Sequence, residues 1–146
     1  MTIPRPSTTA SHVLRAFAIP LESDPHAASK ARRTTRDTLT SWSLGDLADD
    51  MVLVVSELVT NAVQHGEGPI VMVLRQRFDT VLAEIADASP RLPVPHTQST
   101  EGESGRGLSL VEAFTDDWGC RTQRSRKGKW VWCSRSLTAR KEGARE

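Results

Sequence analysis

The stretch SELVTNAVQHGEG, residues 56–68, constrains the fold more than any other part of the chain. Read as a helix over about residues 46–65, it gathers Met51, Val52, Val55, Leu58, Val59, Ala62 and Val63 on one broad apolar face. Asp46, Asp49 and Asp50 suit the positive end of such a helix, and Gly66 ends it. Glu57, Asn61 and His65 fall four residues apart along one edge of the apolar face, where side chains at that spacing are neighbours. They mark a seam between the core and something polar. Taken alone, the line reads as an exposed helix edge, with His65 near the C-terminus as a cap favoured by the helix dipole.

The elements around this helix point to a mixed fold. Residues 1–12 are polar and broken by proline, and read as a disordered tail. Residues 13–19 (VLRAFAI) read as a strand ended by Pro20. Asp24 and Pro25 signal a helix start, with a helical pattern running to about Trp42. After the central helix, residues 69–78 and 80–86 alternate in hydrophobicity and form an antiparallel hairpin turning at Asp79 and Thr80. Residues 88–104, with Pro90, Pro93 and Pro95, form a long loop of the kind used as a lid or binding loop. A short helix opens at Gly105, and two strands follow over 118–123 and 129–137, turning near Lys127 and Gly128. The order β, α, α, β, β, loop, α, β, β implies an α+β two-layer sandwich with helices on one face of a mostly antiparallel sheet. One domain over 13–138, with a second tail at 139–146, fits a chain of 146 residues, which can bury about 68–70% of its unfolded surface.

Composition narrows the function classes. A net charge of +1 argues against bulk electrostatic capture of nucleic acid or membrane. Apolar runs such as residues 51–55 are far short of the ~20 residues that span a bilayer. Nothing at the N-terminus has the apolar core of a secretory signal. A cytoplasmic protein with reduced cysteines is expected. Nine of the nineteen basic residues lie from Arg121 onward, interleaved with Trp130 and Trp132. That pattern can bind single strands, but it equally describes a solvated hairpin whose charges guard an edge, and direct nucleic-acid binding is not expected. A turn at Lys127 and Gly128 pairs Cys133 with Thr122 rather than with Cys120, so no disulfide is expected.

Two further features sit downstream of the seam. Asp87, in DASPRLP, ends a strand where the long loop begins, and Gly105 and Gly107 frame a helix start in GESGRGLSLV. Backbone N–H groups at such a start suit phosphate. With VSELVTNAVQHG as an N box, DASP as a first glycine box and GRGLSLV as a second, the chain resembles the GHKL (histidine kinase-like) ATPase domain. Within that group it is similar to the small bacterial anti-sigma factors that are serine protein kinases. The resemblance covers about residues 16–137, and ARR in the first helix and DDWG after the last one share it.

The resemblance implies a Bergerat-type sandwich, ATP and Mg²⁺ as cofactors, and a role for each motif residue. Glu57 would be the catalytic base and Asn61 the Mg²⁺ ligand. Asp87 would accept a hydrogen bond from the adenine amino group, and Gly105, Arg106, Gly107 and Leu108 would close over the phosphates. Arg32, Arg33 and Arg36 would dock an acidic partner, which the resemblance gives as a sigma factor or its STAS-type anti-anti-sigma antagonist; a homodimer is also implied. Without the resemblance, those arginines read as a solvated helix face. Ser89 and Arg91 stand where the first glycine box has glycines, and Trp130 stands where a small polar residue usually helps to fix adenine, so the indole is expected at the adenine pocket. A binding module that has weakened or lost ATP binding is the alternative function.

Overall fold

The structure, a computed structural model, describes residues 12–89, 103–122 and 128–137, and the side chains of 103–108 lie outside that description. The expected tails, most of the long loop including Arg91, the turn of the last hairpin and six of the C-terminal basic residues fall outside the described residues. In chain order come β1 (Val13–Leu21), α1 (Ala27–Ser41), a 3-10 turn (Gly45–Leu47), α2 (Ala48–His65), β2 (Ile70–Arg77), β3 (Thr80–Asp87), α3 (Glu103–Phe114), β4 (Asp117–Thr122) and β5 (Lys129–Ser136). The five strands make one antiparallel sheet in the order β1-β2-β3-β5-β4. The helices cover one face, which is the α+β sandwich expected.

Strand alternation sets the core. The rungs Met72–Ile85–Val131 and Leu74–Ala83–Cys133 point to the helices and meet Met51, Val54, Val55, Leu58 and Val59 of α2. α2 packs against both α1 and α3 and lies over the sheet, which explains an apolar face broad enough to bury Val54 as well. Arg15 reaches from β1 across to α1, stacking over the Trp42 ring and donating to the Trp42 carbonyl at 3.2 Å.

Several boundaries differ from those read in the sequence. β1 runs through Pro20 to Leu21, because an edge strand tolerates a residue with no N–H to give. Asp24 organises the turn before α1: its carboxylate accepts the His26 N–H at 2.8 Å and its carbonyl accepts the Ala27 N–H at 3.0 Å. Gln76 pairs with Val81, so the first hairpin turns at Phe78 and Asp79, one residue earlier than expected. α3 starts at Glu103, which puts Gly105 and Gly107 inside the helix instead of before it. Glycine inside a helix costs only about 0.5–1 kcal/mol relative to alanine, less than burying Val111 gains.

The last hairpin pairs Cys133 with Trp118 and Cys120 with Val131, not Cys133 with Thr122. The turn glycine was a poor guide to this register. What decides it is which side chains reach the core, and here Trp118 and Cys120 do. Both cysteines are free thiols, as expected.

Candidate functional site

Exposure along α2 is graded in the way a seam requires. Glu57 and Asn61 are half-buried, and His65, the last helical residue, is exposed. On the α1 side, Arg32 donates to the buried Ser56 hydroxyl at 3.0 Å and Arg36 pairs with Asp49 at 2.8 Å. Two of the three α1 arginines therefore also tie the helices together, while all three remain exposed.

The C-terminus of α2 is pressed onto the end of β3. The Gly66 N–H closes the helix on the Ala62 carbonyl at 2.9 Å, and the Ala88 N–H donates to the Glu67 carbonyl at 2.7 Å. A Cβ on Gly66 would sit 2.6 Å from that Ala62 oxygen and 2.6 Å from both Cγ and Oδ2 of Asp87. No real Cβ comes so close, so a glycine is needed where the helix ends against the carboxylate. The sequence reading of Gly66 as a helix stop was correct, and its second task appears only in three dimensions.

Asp87 is 4% exposed. Its Oδ1 accepts the Ser89 N–H at 2.8 Å, a short-range turn that explains how serine serves in a glycine position. Among the described residues Ser43 is the one non-glycine with positive φ, so Ser89 carries no left-handed strain. Among the described residues the other partner of Asp87 is Lys129, whose ammonium lies 3.0 Å from Oδ1 and 3.0 Å from Oδ2. The same nitrogen lies 3.4 Å from the Ser89 carbonyl oxygen.

Lys129 is the residue that sequence reasoning missed, and its position corrects the expectation for Trp130. Asp87 and Lys129 are directly paired across β3 and β5, on the face that carries the helices. Trp130 is one residue further and points to the opposite face, where Arg121 lies 5.8 Å from its ring centroid. The indole does not enter the pocket beside Asp87. The signal was present in the strand alternation: if Val131 and Cys133 face the core, so does Lys129, and Trp130 cannot.

Gly105, Arg106, Gly107 and Leu108 lie in the first turns of α3, which packs on α2. The structure thus brings α2 against the end of β3 at Gly66 and Asp87, and α2 against the helix carrying the second glycine motif. Elsewhere Arg135, one of the C-terminal cations, is buried and bonded to Asp50 at 2.9 Å and to the Phe114 carbonyl at 3.2 Å. Lys129 and Arg121 likewise each face a buried carboxylate, Lys129 from within the fold and Arg121 from an exposed position on the opposite face.

The fold and the order of these motifs define an ATPase-type, nucleotide-binding sandwich. The chain belongs to the histidine kinase-like ATPase domain family, whose profile matches residues 21–135. It is similar in fold to a crystal structure of the RsbU and RsbW domains of Rv1364c from Mycobacterium tuberculosis, with a TM-score of 0.60 and 23% sequence identity over 84% of this chain and 32% of that one. The chain therefore spans about a third of that neighbour's length. No curated protein matches the sequence. Among the described residues no helix is long and apolar enough to cross a membrane.

Proposed function

We propose that the chain is an ATP-dependent serine/threonine protein kinase of the anti-sigma type, which regulates transcription by switching between a sigma factor and a STAS-type antagonist that it phosphorylates. The observation that carries this reading is the α2 seam: Glu57 and Asn61, half-buried and one turn apart, on the helix whose end is packed on Asp87. A domain of the RsbW type in a similar fold supports the partner class.

The phosphate end of such a site fits the residues present. Mg²⁺ keeps several waters and takes phosphate oxygens, so it asks for only one or two protein ligands, and the Asn61 amide oxygen suits that role. Bound Mg-ATP would supply the phosphoryl group and the neutralising charge. Glu57, one turn before Asn61, would accept the proton of the attacking serine or threonine hydroxyl. Gly105 and Arg106, in the first turn of α3, would offer phosphate free backbone N–H groups and a guanidinium, with Gly107 and Leu108 directly behind them in the helix. Asp87 would take the adenine amino group, and Arg32, Arg33 and Arg36 would dock an acidic partner. The base end fits less well, because Asp87 already has a cation on it.

Titration of the chain with Mg-ATP by calorimetry tests the reading, and undetectable binding at millimolar nucleotide sinks it. If ATP binds, Glu57→Ala should reduce phosphoryl transfer to a partner serine by at least 100-fold, the usual order for a lost general base, with binding largely kept. Equal transfer by the variant would reject Glu57 as the base. The Lys129–Asp87 pair favours one second reading: a sequestering module on the same fold that binds ATP weakly and does no chemistry.

A further inference from the structure

We propose that Lys129 is an internal substitute for the amino group of the base, and that it sets the affinity and base selectivity of the nucleotide site. The inference rests on Asp87 being the base-recognising carboxylate of that site. In the protein as folded, this carboxylate is already occupied: the Lys129 ammonium bridges both its oxygens at 3.0 Å, and the Ser89 N–H takes a further position on Oδ1 at 2.8 Å.

The ammonium is held as well as the carboxylate is. It has three N–H donors, and among the described residues Oδ1, Oδ2 and the Ser89 carbonyl lie around it. Lys129 is therefore satisfied where it stands by the carboxylate and the Ser89 carbonyl. It is also 5% exposed, so leaving Asp87 would strand a charge away from water unless the side chain swings out of the site. An incoming adenine offers a neutral N–H donor, whose bond to the carboxylate carries charge on one partner only, in exchange for an ammonium that carries the opposite charge as well. Adenine is the weaker competitor for its own recognition group.

The arrangement is built in by the strands. Asp87 and Lys129 are cross-strand partners, so the ammonium cannot be moved off the pair by a loop shift alone. Gly66 packs on the other side of the carboxylate, so closely that an added Cβ would meet it at 2.6 Å. The consequence is a site in which the 6-amino group of adenine contributes little, so that other purine triphosphates are nearly as good ligands as ATP.

The test is a pair of calorimetric titrations of the full chain, with Mg-ATP and with the Mg complex of purine riboside triphosphate, which lacks the 6-amino group. Wild type should bind the two within about threefold. Lys129→Thr should bind ATP at least tenfold more tightly than wild type and prefer it to the amino-free analogue by tenfold or more. If wild type itself prefers ATP tenfold, or the folded variant binds ATP no better than wild type, Lys129 is not a competitor and the inference falls while the nucleotide site stands. If neither protein binds either nucleotide although both melt cooperatively, the nucleotide site falls and takes the inference with it. Should Lys129→Thr fail to fold, Lys129→Ser takes its place under the same criteria.

Discussion

Glu84 and Asp87 are two carboxylates on the same strand, each 4% exposed and each held by a cation, yet they lie on opposite faces of the sheet. Glu84, on the helix-free face, bonds Arg75 and lies 3.5 Å from Arg121, and those two side chains are 32% and 55% exposed. Asp87, on the helix face, is held by a lysine whose side chain is only 6% exposed. The buried acids are alike; their partners differ in access to water. A cation that can rehydrate survives the loss of its acid, whereas one that cannot becomes an uncompensated buried charge.

The largest expected effect follows from that difference. Asp87→Ala should lower unfolding free energy by about 3–5 kcal/mol, since it strands Lys129. Glu84→Ala should cost about 1–2 kcal/mol, because both arginines can turn outward. Urea denaturation of the two variants measures both, and equal losses would break the comparison. Removing both charges at the site by Asp87→Asn with Lys129→Met should recover most of the first loss, to within about 1–2 kcal/mol of wild type. A double variant no more stable than Asp87→Ala would mean that the deficit is one of packing, not of charge.

A glycine stands beside each face and sharpens the contrast. A Cβ at Gly66 meets the Ala62 backbone oxygen and Asp87 at 2.6 Å, with nothing free to move, so Gly66→Ala should cost about 1–3 kcal/mol. A Cβ at Gly119 meets the Trp132 ring at 2.8 Å on the open face, where the half-buried indole can shift, so Gly119→Ala should cost about 1 kcal/mol or less. Thermal melts at matched pH decide the order.

The smallest effect concerns the two thiols. Burial pushes the Cys133 thiol up to about 12, and burial also raises that of Cys120, partly offset by Lys129. A raised value means less thiolate at pH 8, hence slower alkylation. Iodoacetamide at pH 8 should leave native Cys133 unmodified and label Cys120 slowly, with both modified in denaturant, as peptide mass mapping can show. Fast native labelling of Cys133 would mean that β4 and β5 separate readily.

How far the site was legible depends on the kind of signal each residue left. Glu57 and Asn61 were readable because helical period alone places them on the edge of a long apolar face, and that face is what the fold buries. Gly66 and Asp87 were readable as ends of elements, but their contact was not, since nothing local records that one end rests on the other. Lys129 was overlooked because a lysine after a glycine reads as turn chemistry, and the turn residues suggested the wrong register for the final hairpin.

Periodicity and element order were enough, from the sequence by itself, to settle the eight-element β, α, α, β, β, α, β, β plan, the helices on one face and the α2 seam, but not the 3-10 turn or the register that keeps the two cysteines apart. Only the tertiary structure decided that Lys129, and not Trp130, stands on Asp87. The physical reason is the two-residue repeat of a strand: a step of one position carries a side chain to the other face, and only the pairing of β5 with β3 says which residue arrives opposite the carboxylate.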